Sequence, residues 1–182
     1  MKKIVFLFAL IPFLFAFQCD PEPGPCGEFI EFEKSDLITI ENQQTTYQVG
    51  DLIWLSSIVD RFQVNPITEA SYDLFSSDQK LAYSLEFSKT SLYNGSIYLN
   101  INENTTVIEE GELDWNTIVL TKNDTQFKSK IGIKLLEPGT FTLNIYNIGS
   151  FNPDRVGCNF TTYSMKTDFN GIESNLFTFE VE

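Results

Sequence analysis

The chain has 182 residues, of which 42% are hydrophobic, and it carries a formal net charge of −13 with no histidine. The acidic balance makes nucleic acid and anionic lipid surfaces poor partners. Because there is no imidazole, Ser-His-Asp and Cys-His catalysis and the usual zinc sites are excluded, and we expect no cofactor and no metal centre.

The N-terminus has the layout of a secretory signal. Met1-Lys2-Lys3 precede an apolar run from Ile4 to Phe17. About 14 residues at ~1.5 Å each cover only about 20 Å of a hydrocarbon core near 30 Å, so the run is too short to span a membrane. We therefore predict a signal peptide over residues 1–18 and an exported protein.

From Glu28 onward the apolar residues recur with a period of two, which predicts β-strands. Short strands are predicted at "FIEFE" and "LITIE". A turn at Gly50-Asp51 leads into a mostly apolar strand over 53–59, and such a sequence is typical of a central strand covered on both faces.

The clearest hairpin lies in "LAYSLEFSKTSLYNGSIYLNI", where Asn94-Gly95 suits a two-residue turn. Further turns are predicted at Asn123-Asp124 and Pro138-Gly139. The predicted buried faces are Leu81, Tyr83, Leu85 and Phe87, then Ile97, Leu99 and Ile101, then Phe141, Leu143 and Ile145, and finally Phe177, Phe179 and Val181.

One short helix is predicted in "TEASYDLFSSDQK". The remaining pattern of short strands separated by turns favours an all-β domain over residues 28–182. We predict a single antiparallel β-sandwich of about seven to nine strands.

Two stretches resemble immunoglobulin-like modules of bacterial surface proteins. "YQVGDLIWL" is similar to their Gly-Asp start of a strand, and "LLEPGTFTLNIYN" is similar to their Pro-Gly-aromatic start of a strand. The resemblance implies an immunoglobulin-like sandwich.

The stretch "FAFQCDPEPGP" resembles the junction of bacterial lipoproteins, whose first mature residue is a cysteine that carries lipid. The resemblance implies that Cys19 is the lipid attachment site and that residues 19–27 form a flexible tether. It also implies anchoring in the cell envelope, with the outer membrane or cell surface favoured and the periplasm as the alternative. Ordinary cleavage after Ala16 is the competing interpretation, and it would leave a free protein with all three cysteines.

The other two cysteines are candidates for a disulfide. A bond between Cys26 and Cys158 closes about 130 residues, which the chain-entropy model values at ~5 kcal/mol, against ~2.5 kcal/mol for the short loop from Cys19 to Cys26. We therefore predict the long bridge. Two free buried thiols remain the alternative.

An acidic stretch, "EEGELDWNT", is the candidate for chemistry. Glu112 and Asp114 are two residues apart, so on a strand both carboxylates point to one face beside Trp115, as paired acids do in sandwich-fold glycosidases. "ELDW" is similar to the start of the Glu-x-Asp-x-x-Glu signature of laminarinase-like enzymes, although its final Glu is missing. A solvated acidic hairpin is the simpler interpretation.

The same stretch is also a candidate calcium site, since hard cations prefer clustered carboxylates. Its candidate ligands are Glu109, Glu110, Glu112 and Asp114. The two tryptophans are candidate platforms for sugars, although we expect Trp54 in the core and Trp115 to pack against the end of the sandwich.

These observations predict no catalytic residues. We expect a membrane-anchored lipoprotein with a non-catalytic sandwich that binds a protein or glycan. The alternatives are a small carboxylate-dependent enzyme acting on glycosides and a structural subunit of an envelope complex.

Overall fold

A computed structural model describes residues 27–76, 79–93, 95–152 and 160–182. The predicted signal peptide, Cys19 and the predicted disulfide partners Cys26 and Cys158 lie outside the described residues. Internal contacts divide the chain into two units. Phe29–Arg155 and Thr162–Glu182 form the unit described below, and residues 27, 28, 160 and 161 belong to the other.

The described residues are all-β, with 17 strands and no helix. The all-β class is thus confirmed, and the strands outnumber the seven to nine expected. Among the described residues no helical segment has the length and apolarity to cross a bilayer. The strands are β1 Glu28–Glu33, β2 Ile38–Ile40, β3 Thr46–Tyr47, β4 Leu52–Asp60, β5 Phe62–Val64, β6 Ser71–Asp73, β7 Lys80–Thr90, β8 Ser96–Leu99, β9 Thr106–Glu110, β10 Glu112–Asp114, β11 Thr117–Val119, β12 Thr121–Lys122, β13 Gln126–Lys134, β14 Gly139–Ile145, β15 Ile148–Phe151, β16 Thr161–Lys166 and β17 Leu176–Val181.

Strand β7 organises the larger sheet. Along one edge it pairs with β15 and β14, and along the other with β11 and β8. The order β1-β16-β15 extends the sheet from one half of β7, and β14-β17-β3 extends it from the other half. Because β17 and β3 pair in parallel, the sheet is mixed and not wholly antiparallel.

The second sheet has the order β12-β13-β4-β2, with β9 also paired to β13. Strands β4 and β13 align over their full length, from Gln126 opposite Asp60 to Lys134 opposite Leu52. One face of each sheet contributes to a common apolar core, which makes the fold sandwich-like. The core includes Ile53, Leu55, Val59, Phe127, Ile131 and Ile133 from the second sheet, and Leu81, Tyr83, Leu85, Leu143, Phe177 and Phe179 from the first.

The predicted buried faces are confirmed for all four residues from Leu81 to Phe87 on β7 and for the alternating sets on β14 and β17. In the predicted face around β8, Ile101 is buried and Leu99 half-buried, but Ile97 is exposed. The prediction that the strand over 53–59 is covered on both faces is wrong. Along β4 buried residues alternate with half-buried or exposed ones, because only one side of the second sheet meets the first.

The predicted helix in residues 68–80 is also wrong. Ser71–Asp73 instead form β6, which pairs with β5 as a hairpin. Arg61 donates two hydrogen bonds to the Asp73 carboxylate, at 2.8 and 2.6 Å, and Tyr72 packs edge-on against Phe32 at 5.7 Å. These contacts outweigh the local preference that suggested a helix.

Three polar side chains lie inside the apolar core. Ser57 and Ser129 of the second sheet hydrogen-bond through their hydroxyls at 2.8 Å, and the phenol of Tyr83 reaches this core from the first sheet. Burial raises the pKa of Tyr83, and the nearby Ser129 lowers it by less. The folded protein therefore holds this phenol in its neutral form.

This burial predicts loss of stability in alkali. The folded pKa of Tyr83 lies above the unfolded value near 10, so its contribution is complete below about pH 10 and is lost as the pH rises further. We therefore expect the free energy of unfolding in urea to fall as the pH rises above about 10. The free energy of unfolding of the Tyr83→Phe variant should fall less steeply with pH. Part of the slope should remain, because burial also raises the pKa of Tyr47. An equally steep fall in Tyr83→Phe would contradict this explanation.

Candidate functional site

The predicted acidic residues lie on two strands joined by Gly111. This glycine has φ of 101°, and a Cβ there would lie 2.9 Å from the backbone oxygen of Val119, so the turn needs glycine. In the pairing of β9 with β13 the register shifts so that Glu109 is the extra residue of a bulge. The Glu109 carboxylate contacts the Lys130 ammonium at 3.1 Å.

Glu112 and Asp114 lie on one exposed side of β10, as their spacing suggested. Glu112 makes an ion pair with Lys80 at 3.1 Å, and both side chains are mostly in solvent, so the pair adds little stability. In the described part of the chain no three acidic or cysteine side chains lie close enough to hold a metal ion. Glu109 and Glu112 instead pair with separate lysines.

Trp115 does not pack against the end of the sandwich, contrary to expectation. Its side chain is 83% exposed, and its φ of 55° is uncommon for a bulky residue. It lines a shallow cavity of about 330 Å³ together with Asn102 and Asp114, but without Glu112. Of the two acids considered as a catalytic pair, only Asp114 lines this cavity.

Trp54 does not lie in the core, contrary to expectation. Its indole lies half-buried on the outer face of the second sheet, over Gly132, where a Cβ would be 3.1 Å from the ring. The Lys130 ammonium lies 5.2 Å from the indole centroid, within the range of a cation–π contact. Because Gly132 has no side chain, the large indole ring of Trp54 fits on the outer face of the sheet.

A cleft opens between the two sheets at one end of the sandwich, and we call it the end cleft. Its narrow part, of about 200 Å³, is lined by Phe87, Leu99, Asn100, Thr105, Ile133, Lys134, Leu136, Glu137 and Phe141. Its wide part, of about 840 Å³, is lined by Lys89, Thr90, Ser91, Leu92, Tyr93, Ile97, Leu99, Glu137, Pro138, Gly139 and Thr140. Leu99 and Glu137 line both parts, so the two lie next to each other.

The pleat of the first sheet directs side chains into the end cleft. Phe87 faces the interior, its partner across the strands is Leu99, and Lys89 and Ile97 form the next pair on the same face. Opposite them, β13 ends at Lys134, and the chain turns through residues 135–138 into β14. The second sheet thus stops where the inner face of the first sheet continues.

The loop between β7 and β8 is longer than the two-residue turn predicted at Asn94-Gly95. The last strand pair is Thr90 with Ser96, and Ser91 N–H donates to the Gly95 carbonyl at 2.7 Å. Asn94 lies outside the described residues. Leu92 and Tyr93 project from this loop and are 99% and 95% exposed.

An ion pair crosses the end cleft. The Lys89 ammonium lies 3.1 Å from the Glu137 carboxylate and 5.5 Å from the centroid of Phe141. Gly139, with φ of 143°, makes room for this lysine, because a Cβ there would lie 2.6 Å from Lys89 Cε. Sequence reasoning missed the cleft because alternation assigned Phe87, Leu99 and Phe141 to the core without showing where the sheets end.

No protein-family model and no curated protein matches this chain. Similar solved structures include the Reelin-N domain of F-spondin, with a TM-score of 0.38, 9% identity, and coverage of 86% of this chain and 92% of that one. A family 123 glycoside hydrolase from Clostridium perfringens has a TM-score of 0.31 and 11% identity, over 74% of this chain and 22% of that one. The CupB6 tip adhesin from Pseudomonas aeruginosa has a TM-score of 0.25 and 8% identity, over 80% and 44%. At these low TM-scores the likenesses carry no functional argument.

The role of Gly139 is testable with a matched glycine. Gly50 also has positive φ, at 100°, but open space surrounds it. We expect Gly50→Ala to lose about 1 kcal/mol of unfolding free energy through backbone strain. Gly139→Ala should lose about 0.5–1 kcal/mol more, because its methyl group displaces Lys89 from Glu137 and Phe141. Urea unfolding measures both losses, and equal losses would show that the Lys89 contacts contribute nothing.

Proposed function

We propose that this chain is an exported lipoprotein, anchored in the cell envelope by lipid on Cys19, whose β-sandwich is a non-catalytic module that binds a protein ligand. The outer membrane or cell surface is the proposed location. The lipoprotein-like stretch around Cys19 supports the anchor. The end cleft carries the binding proposal.

The narrow part of the end cleft suits one apolar side chain. Its volume is about 200 Å³ and its lining is mainly Phe87, Leu99, Ile133, Leu136 and Phe141. A cavity of about 150 Å³ with this kind of lining is large enough to bind benzene. An aromatic or branched aliphatic group of a protein ligand therefore fits in both size and chemistry.

The wide part suits the segment that carries such an anchor. About 840 Å³ lies within the usual range for ligand sites, and Lys89, Glu137 and Thr140 provide polar groups at its rim. Leu92 and Tyr93 project beside it and are almost fully exposed. Exposed apolar side chains next to a cleft are typical of surfaces that bind another protein.

Strand β8 offers backbone groups to the same ligand. Ser91 and Gly95 form a hydrogen-bonded pair, so by alternation the N–H and C=O groups of Ser96 and Tyr98 point away from β7. No described strand pairs with this edge. An extended peptide added here would direct alternate side chains next to Ile97 and Leu99, toward the end cleft.

We also propose that the sandwich is immunoglobulin-like. The two stretches that carry this resemblance contact each other, since Gly50 N–H donates to the Leu135 carbonyl at 2.7 Å and Leu135 N–H donates to the Asp51 carbonyl at 3.0 Å. This contact ties the Gly-Asp turn to the segment before the Pro-Gly strand start. The contact supports a strand arrangement like that of immunoglobulin-like modules.

The two other functions considered from the sequence have less support. For a carboxylate-dependent enzyme, Glu112 is engaged by Lys80, and only Asp114 lines the cavity beside Trp115. A structural subunit would not need a cleft whose size fits a ligand. We therefore retain the binding module.

Lipid attachment predicts a definite mass. After expression in a Gram-negative bacterium, we expect the mature protein to begin at Cys19 and to exceed the mass of residues 19–182 by about two or three acyl chains. Cys19→Ser should remain in the aqueous phase on detergent partitioning, whereas Cys26→Ser should partition with the detergent as the natural sequence does. A mass that matches cleavage after Ala16 without lipid would exclude the anchor.

Binding in the end cleft predicts a peptide preference. A phage library of random peptides selected on the purified domain should enrich sequences with one aromatic or branched aliphatic anchor. Leu136→Arg, in the wall of the narrow part, should weaken the selected peptides about tenfold or more. Ile67→Arg alters an equally apolar but more exposed residue away from the cleft and should leave affinity unchanged. Equal affinity for both variants, or no enriched peptide, would contradict the proposal.

A further inference from the structure

The outer face of the first sheet holds a polar and aromatic group that the end cleft does not use. It consists of Glu86, Tyr98, Asn144, Tyr146 and Asn175, and we call it the tyrosine face. Glu86 lies between the buried residues Leu85 and Phe87 on β7, so its side chain points away from the core. Tyr98 is 70% exposed and Tyr146 is 45% exposed. Tyr98 lies on β8 and Tyr146 directly follows β14, and these two strands pair with opposite edges of β7.

Hydrogen bonds hold this group in place. The Asn144 side-chain amide donates to a Glu86 carboxylate oxygen at 3.2 Å and lies 3.4 Å from the Tyr146 hydroxyl. The Asn175 amide donates to the Asn144 side-chain oxygen at 3.1 Å and to the Ile145 carbonyl at 3.3 Å. Each amide thereby fixes its neighbour, and the Glu86 carboxylate is positioned before any ligand arrives.

The face keeps hydrogen-bonding capacity for a ligand. A carboxylate offers about four acceptor positions, and on Glu86 the Asn144 amide uses one and the Tyr146 hydroxyl uses another. The hydrogen bond with Glu86 raises the pKa of Tyr146, with Tyr98 adding to the effect, so the Tyr146 phenol keeps its proton. The remaining carboxylate positions can accept hydroxyl groups.

These features match the chemistry of a sugar. The rings of Tyr98 and Tyr146 are rigid apolar surfaces for the C–H face of a sugar ring. Glu86 and the amide oxygens supply acceptors for sugar hydroxyls, whereas the amide N–H groups are already used within the tyrosine face. None of the five residues is a cation, and the chain has a net charge of −13, so an acidic glycan is repelled.

We propose that the tyrosine face binds a neutral glycan, with Tyr98 and Tyr146 packing on sugar rings and Glu86 accepting their hydroxyl groups. This site is separate from the end cleft, because the two lie on opposite faces of the sheet around β7. A single domain would then bind a protein ligand and a glycan by different surfaces.

An array of immobilised neutral and acidic glycans tests this proposal, followed by calorimetry with the best neutral ligand. We expect binding to neutral glycans alone. Tyr98→Ala, Tyr146→Ala and Glu86→Gln should each weaken binding about tenfold or more. Glu86→Gln keeps one oxygen for Asn144 but loses the charge and replaces the second acceptor oxygen with a donor amide, so it tests the acceptor without removing the side chain.

Two controls separate this site from the end cleft. Tyr93→Ala removes a tyrosine that is 95% exposed but lies at the cleft, and it should leave glycan affinity unchanged. Leu136→Arg should weaken peptide binding about tenfold or more and leave glycan binding intact. No binding on the array would overturn the glycan proposal, as would preference for acidic glycans or unchanged affinity in all three tyrosine-face variants. None of these results would affect the peptide experiment.

Discussion

The long central strand β7 is the constraint on which the rest of this domain depends. Lys80–Thr90 pair with β15 and β14 on one edge and with β11 and β8 on the other. Because side chains alternate along a strand, this pairing fixes two faces at once. Leu85 and Phe87 point into the interior, and Glu86 between them points to the tyrosine face. Both proposed sites therefore derive from the same strand.

The end cleft follows from a mismatch in length between the sheets. Strand β13 ends at Lys134, whereas the inner face of the first sheet continues through Phe87 to Lys89. A gap lined by apolar side chains loses packing that a closed core would have. Lys89 covers part of it by lying over Phe141 and pairing with Glu137, and Gly139 makes this possible. A ligand side chain would recover the remaining contacts.

Sequence reasoning succeeded where local alternation decides the outcome. The buried residues of β7, β14 and β17 were predicted correctly because one side of each strand meets the core. It failed where distant residues decide. The segment containing Tyr72 became a strand because Arg61 and Phe32 hold it. Trp54 lies on the outer face because only one side of the second sheet meets the first, and Gly132 makes room there for its ring. The local sequence pattern does not show any of these partner residues.

The sequence by itself determined that this is an all-β chain, which faces of its main strands are buried, and that imidazole chemistry is excluded. Its N-terminal features also led to the prediction of export and lipid attachment. Only the tertiary structure decided where the sheets end and which side chains meet across strands. The end cleft and the grouping of Tyr98 and Tyr146 around Glu86 belong to this second class. The physical reason is that alternation sets the side of a strand on which a residue lies, whereas its neighbours depend on long-range register.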